Sequence, residues 1–177
     1  GKKLQASGNL SAMVIFAQFA DQGAGTSAPS WSADLFNPSV PGSFSHFYNA
    51  MSGGLIEVEG GVLPARYSSL SRAETYVAEE AGALGKYGQF NLEILHQADA
   101  DTDFGTFDND GPDGRPNSGD DDGYVDIVFI NLHTVPRDFF IATATGLASL
   151  GLDSDYISDD GAANGGFVRV RNRFNGF

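Results

Sequence analysis

Residues 107–133 read FDNDGPDGRPNSGDDDGYVDIVFINLH, an Asp- and Gly-rich run that passes without a break into the largely apolar IVFINL. The first half has the composition of a solvated loop. The second half has that of a buried strand, bracketed by Gly123 and Pro136. A core strand is therefore predicted over residues 124–132, with Asp126 inside it. The charge is local. Of a formal net charge of −13, residues 99–126 supply −9 through ten Asp and one Arg, which leaves −4 for the remaining chain. Carboxylates packed this densely with glycines need cations between them.

Upstream, LSAMVIFAQF at residues 10–19 is continuously apolar at its centre, the pattern of a strand covered on both faces. A long Gly/Pro/Ser loop follows, with a short turn near Asp34 and with Trp31 and Phe36 as anchors. Ser43 as N-cap and Gly53-Gly54 as stop predict a helix over residues 43–51. LIEV at residues 55–58 alternates apolar and acidic residues, as a half-exposed strand or hairpin would. Ser71 and Glu74 have capping-box spacing, which predicts a helix to about Ala83. FNLEILHQA at residues 90–98 predicts a second helix leading into the acidic loop. Residues 138–152 fit strand or helix equally, and FVRVRNRF at residues 167–174 alternates Val and Arg like an edge strand with one wet face.

A chain of 177 residues with 41% apolar content suits one domain with a real core. There is no Cys, hence neither a disulfide nor a thiolate metal site. No apolar run approaches a membrane span, and the opening GKKLQASGNL lacks a signal-peptide pattern. Nucleic acid is excluded as a partner by the absence of a basic stripe. A monomer is expected.

Calcium takes six to eight oxygens, and loops of the form D-x-[DN]-x-[DN]-G supply them at alternate positions. If residues 112–121 are an insertion, then Asp108, Asp110, Asp122, Gly123, the Tyr124 carbonyl and Asp126 fall at positions 1, 3, 5, 6, 7 and 9. A competing register uses Asp113 and Gly114 instead. The first explains Asp126 within the strand. A second metal site is conceivable at Asp99, Asp101 and Asp103, although its sixth residue is Phe104 where the pattern asks for Gly. The alternative for the whole stretch is a solvated acidic turn. The carboxylate pairs Glu57 with Glu59 and Glu79 with Glu80 read as solvated faces.

MVIFAQFADQ, SFSHFYNAMSGGLIEVEGGV, TDFGTFDNDG and DDDGYVDIVFINLH, in that order over residues 13–133, make the chain resemble the immune-inhibitor-A-type metallopeptidases. These are secreted zinc endopeptidases of the zincin group. The resemblance implies an α+β, α/β-like fold with a mixed, mostly parallel twisted sheet, similar to the upper, N-terminal subdomain of a zincin. It implies peptide or protein substrates, a secreted or extracellular location, structural Ca²⁺, and Zn²⁺ in the complete domain only. It also implies that Phe167, Val168, Arg169, Val170 and Arg171 form a substrate-binding edge strand. An edge protected by its arginines explains the same alternation.

The family's His-Glu-x-x-His is absent, and His46, His96 and His133 are scattered singly. His46 and His96 read as packing or surface residues; His133, at the carboxyl end of the predicted strand, keeps a functional role open. The expectation is a domain cut before its zinc helix, inactive by itself. The alternatives are a non-enzymatic calcium-stabilised binding or assembly module and a degenerate peptidase-like domain.

Overall fold

The computed structural model describes residues 8–141 and 144–172. At its centre is β1 (Gly8–Gln18), buried throughout residues 11–18 as its unbroken apolar run predicts. Met13, Ile15 and Ala17 join the aromatic core, and the alternate Phe16 meets the Trp31 ring edge-on at 5.6 Å. β1 pairs in parallel with β2 (Ile56–Ser68) on one side and β3 (Ile127–Leu132) on the other, giving the order β2-β1-β3. Parallel neighbours need crossovers. These contain α1 (Phe44–Ser52), between β1 and β2, and α2 (Tyr87–Asp101), between β2 and β3.

A separate antiparallel pair, β4 (Tyr156–Gly161) and β5 (Phe167–Val170), completes an α+β fold. The expected mixed, mostly parallel strand pairing is present, divided between a parallel three-stranded sheet and an antiparallel pair. Among the described residues no helix is long and apolar enough to cross a membrane.

α1 forms as its caps predict: Ser43 Oγ accepts from the His46 N–H, and Gly53 ends the helix at φ +65°. Where residues 55–58 suggested a half-exposed strand or hairpin, β2 is a thirteen-residue strand parallel to β1. Gly60 makes this approach feasible, because a Cβ there would collide with the Ala12 carbonyl oxygen and the Phe36 ring. From Val14 to Phe16 the partner advances from Val62 to Arg66, so β2 bulges where Pro64 has no N–H to offer the ladder.

The helix expected from Ser71 to Ala83 is reduced to a 3-10 turn, Ala73–Thr75. Tyr76 is fully buried, its hydroxyl donating to Glu93 at 2.5 Å and accepting from the Ser71 N–H at 3.2 Å, while the Ala78 N–H bonds the Asp138 carbonyl. Burying a large side chain stabilises by about 1.5–3 kcal/mol, whereas a helix cap contributes about 1 kcal/mol. The aromatic core wins.

The segment 138–152, expected as strand or helix, is neither over its described residues, 142 and 143 lying outside them. It is nevertheless core: Phe139 is fully buried against Phe19 at 5.2 Å and Phe90 at 5.5 Å. β3 is shorter than residues 124–132 and only half-buried at the edge of the three-stranded sheet, so β1, not β3, is the core strand.

Candidate metal centre

The 3-10 turn Phe104–Phe107 follows α2 and ends at Asp108. From there the chain loops out and returns at Gly123, whose N–H donates to Asp108 Oδ2 at 3.0 Å. The Asn117 N–H bonds the Asp108 carbonyl at 2.7 Å. Asp121, buried, closes the excursion by accepting from the N–H groups of Gly111 and Ser118, both at 2.7 Å. Residues 112–121 thus lie within an excursion that leaves at Asp108 and returns at Gly123. In the competing register Asp113 would be a ligand; instead it is exposed, accepts from the Arg115 N–H at 2.8 Å and lies outside the carboxylate cluster.

Asp126, just before β3, ties the loop to the sheet. Its Oδ2 accepts from the Ser11 N–H of β1 at 2.6 Å, and its Oδ1 from the Asn109 N–H at 3.4 Å. One carboxylate oxygen from each of Asp108, Asp110 and Asp126 lies within 4.8 Å of the others. Oxygens that share a calcium at 2.3–2.6 Å can be at most about 5 Å apart, so this spacing admits a common ion. Asp108 is 1% exposed, yet its Oδ1 has no hydrogen-bond partner, and neither has Oδ1 of Asn109, at 5% exposure. Buried polar atoms are almost always paired, so two unpartnered oxygens beside one carboxylate cluster mark a place able to take a cation.

Electrostatics agree. Burial, reinforced by the charges of Asp121, Asp122 and Asp110, pushes the Asp108 carboxyl up to about 7. Burial also takes Asp126 to about 7, against the lowering effect of the Ser11 and Asn109 N–H groups. Keeping such a group ionised with no cation costs on the order of a few kcal/mol. Buried Asp108, half-buried Asp126 and exposed Asp110 together can hold a metal ion.

Of the five ligands expected, three are gathered: Asp108, Asp110 and Asp126. Asp122 is diverted, its Oδ2 pairing with the Arg171 guanidinium at 2.6 Å and its Oδ1 accepting from the Tyr124 N–H at 3.0 Å. Arg171 also lies 3.8 Å over the Tyr124 ring, so Tyr124 serves as a platform for the cation that captures Asp122. Sequence reasoning missed Asn109, whose place between two ligand positions gave no signal, and placed Arg171 on the substrate strand without foreseeing its pairing with Asp122, 49 residues away.

The second expected site is reshuffled. Asp99 joins Asp159 and Asp160, which were not foreseen. Asp101 is engaged with Tyr67, whose hydroxyl is held at about 12 by burial first and by Asp101 second. Asp103 caps the 3-10 turn through the Gly105 N–H at 2.8 Å.

The candidate substrate strand has its wet face, with Val168 and Val170 buried and Phe167 and Arg169 exposed. Neither of its edges is open at Arg169, which corrects the edge-strand expectation there. β4 pairs along one side, while on the other the Arg169 N–H donates to the Gly123 carbonyl at 3.0 Å and its carbonyl accepts from the Val125 N–H at 2.9 Å. Arg173 and Phe174 lie outside the described residues.

His46, His96 and His133 are exposed on α1, on α2 and after β3, and none joins a carboxylate cluster among the described residues. The residues present do not fit a zinc peptidase centre. No family model matches the chain, and no curated protein does.

Proposed function

We propose that this chain is a calcium-braced structural module, in which Ca²⁺ held by Asp108, Asp110 and Asp126 fixes the 108–126 loop to β1 and β3. The observation that carries this reading is the buried, unpartnered Oδ1 of Asp108 beside the carboxylate cluster. An oxygen-only donor set favours calcium over zinc, and a site built from several carboxylates of the protein itself suits calcium better than magnesium, which keeps most of its water.

Position supports a brace over a catalytic ion. Asp126 precedes the amino end of β3, whereas ligand crevices of parallel sheets open at the carboxyl ends. Thermal melting in Ca²⁺ and in chelator tests the reading: an ion bound only to the folded state raises the midpoint, by about 2.7 kcal/mol of stability at a hundredfold excess over Kd. Coincident melting curves, with no metal in elemental analysis, would sink it.

A second reading, that the module is the calcium-bearing part of an immune-inhibitor-A-type metallopeptidase domain, draws support from the order strand, helix, strand, helix, acidic loop, strand on a parallel sheet. On this reading the chain supplies sheet and brace, and a zinc helix outside it supplies the chemistry on peptide substrates. Coding sequence past Phe177 decides it: a His-Glu-x-x-His within about 20 residues supports the peptidase. Absence of the motif leaves the non-enzymatic module or a degenerate peptidase-like domain.

A further inference from the structure

A second cluster of carboxylates lies at the far end of the turn that leads to Asp108. One oxygen each from Asp99, Asp159 and Asp160 falls within 4.8 Å of the others. Asp99 sits in the last turn of α2, and the other two come from β4, 60 and 61 residues on in sequence (159 − 99 and 160 − 99). Two of the three carboxylates are already oriented, those of Asp99 and Asp160. Asp99 Oδ2 accepts from the Tyr156 hydroxyl at 2.7 Å and from the Asp159 N–H at 3.2 Å, and Asp160 Oδ2 accepts from the Phe104 N–H at 2.7 Å.

The remaining Asp99 oxygen, Oδ1, is buried and has no partner, although the residue as a whole keeps some exposure. Among the described residues no Lys or Arg forms an ion pair with any of the three. An orphaned buried oxygen among three carboxylates is the signature that identifies the first site, here arising from different elements.

The helix end sharpens the point. The last turn of α2 contains no basic residue, yet it carries Asp99 and Asp101, with Asp103 just beyond. Negative side chains at a helix C-terminus oppose the macrodipole, whose negative pole lies there. A divalent cation would offset most of the charge of the three carboxylates and at the same time complement the C-terminal carbonyl end of α2. Asp159 is exposed, so the cluster has a solvent side through which an ion can enter and keep water as its remaining ligands.

We propose that Asp99, Asp159 and Asp160 form a second Ca²⁺ site, separate from the one at β3, that clamps the β4–β5 hairpin to the C-terminal end of α2. The two ions then bracket the four-residue turn Phe104–Phe107. Asp160 holds the Phe104 N–H at its start, and Asp108 ends it. The hairpin is tied at both ends of the same turn, since Arg171, just past β5, pairs with Asp122 of the first loop.

The test is the calcium stoichiometry of the 177-residue chain, measured by equilibrium dialysis with elemental analysis after chelator treatment. The wild type is expected to bind two ions, Asp159→Asn/Asp160→Asn one, and Asp110→Asn the other one. Asn at 160 keeps an acceptor for the Phe104 N–H, and circular dichroism checks that the fold survives. If the double variant does not fold, the exposed single substitution Asp159→Asn should weaken one class of calcium site by about 10-fold or more. A double variant that binds as much calcium as the wild type overturns the proposal, as does an Asp159→Asn titration that superimposes on it. The two readings fail separately: loss of calcium only in Asp110→Asn leaves the first site standing alone, and loss only in Asp159→Asn/Asp160→Asn leaves the second.

Discussion

Asp108 is the residue on which the metal centre turns, because it is the most buried carboxylate in the loop and its Oδ2 already accepts from the Gly123 N–H. Asp108→Asn should raise the melting temperature in chelator and abolish the rise that calcium produces. The amide keeps the Gly123 bond but removes the buried charge, and melting with and without Ca²⁺ reads both effects. A pH dependence follows from the same groups. In the ion-free fold Asp108 and Asp126 titrate near 7, against 3.8 ordinarily, so between those values the folded state holds more protons than the unfolded one. Ion-free stability therefore falls as pH rises from about 4 to about 7. With calcium in excess the trend reverses, since protons compete with the ion, and the calcium-induced shift should be large at pH 8 and small at pH 5. Melting curves at these two pH values, with and without chelator, check the sign. A calcium increment that grows on acidification would contradict it. Arg171→Ala should cost only about 1 kcal/mol in a denaturant titration, because the pair with Asp122 is half-exposed and the Tyr124 face supplies the rest.

At the level of elements, local signals held where the element depends on its own residues. Ser43 and Gly53 cap α1, and the spacing of Phe90, Ile94 and Ala98 marks the buried face of α2. They failed where tertiary contacts claim the backbone, as at Ser71, whose N–H goes to the Tyr76 hydroxyl and not into a capping box. Gly85 and Gly88, beyond the expected end of that helix, are required by close backbone approach. A Cβ on Gly88 would strike the Gly151 carbonyl, and one on Gly85 would strike the carbonyl oxygens of Tyr76 and Phe139. Gly88→Ala should accordingly destabilise by roughly 1–3 kcal/mol in chemical denaturation, despite the higher helix propensity of Ala. Phe139→Ala should cost about 3–5 kcal/mol, although no periodicity marks its segment. A loss below 1 kcal/mol for Phe139→Ala would place the aromatic cluster outside the stabilising core.

Across the whole molecule, two sheets share one hydrophobic core, with Val168 and Val170 of β5 in the same cluster as Met13 and Ile15 of β1. The acidic stretch ties them together from outside: Asp126 grips β1 at Ser11, and Asp122 grips the chain just past β5 at Arg171. Chelation should therefore lower stability for the whole fold in one transition and not release the loop alone. Coincidence of the near-ultraviolet and far-ultraviolet melting curves in chelator tests this. A purified chain incubated with Zn²⁺ should leave casein intact, since its three histidines are dispersed over α1, α2 and the end of β3. The sequence by itself determined the buried central strand, the two helices that formed, the α+β class, and the three loop carboxylates that can share a metal ion, because periodicity, caps and loop spacing are local properties of the chain. The tertiary structure alone decided that β2 runs parallel to β1, that Arg171 captures Asp122, and that Asp99 meets Asp159 and Asp160. Those outcomes depend on which distant groups satisfy one another once the core excludes water, and no window of neighbouring residues contains that information.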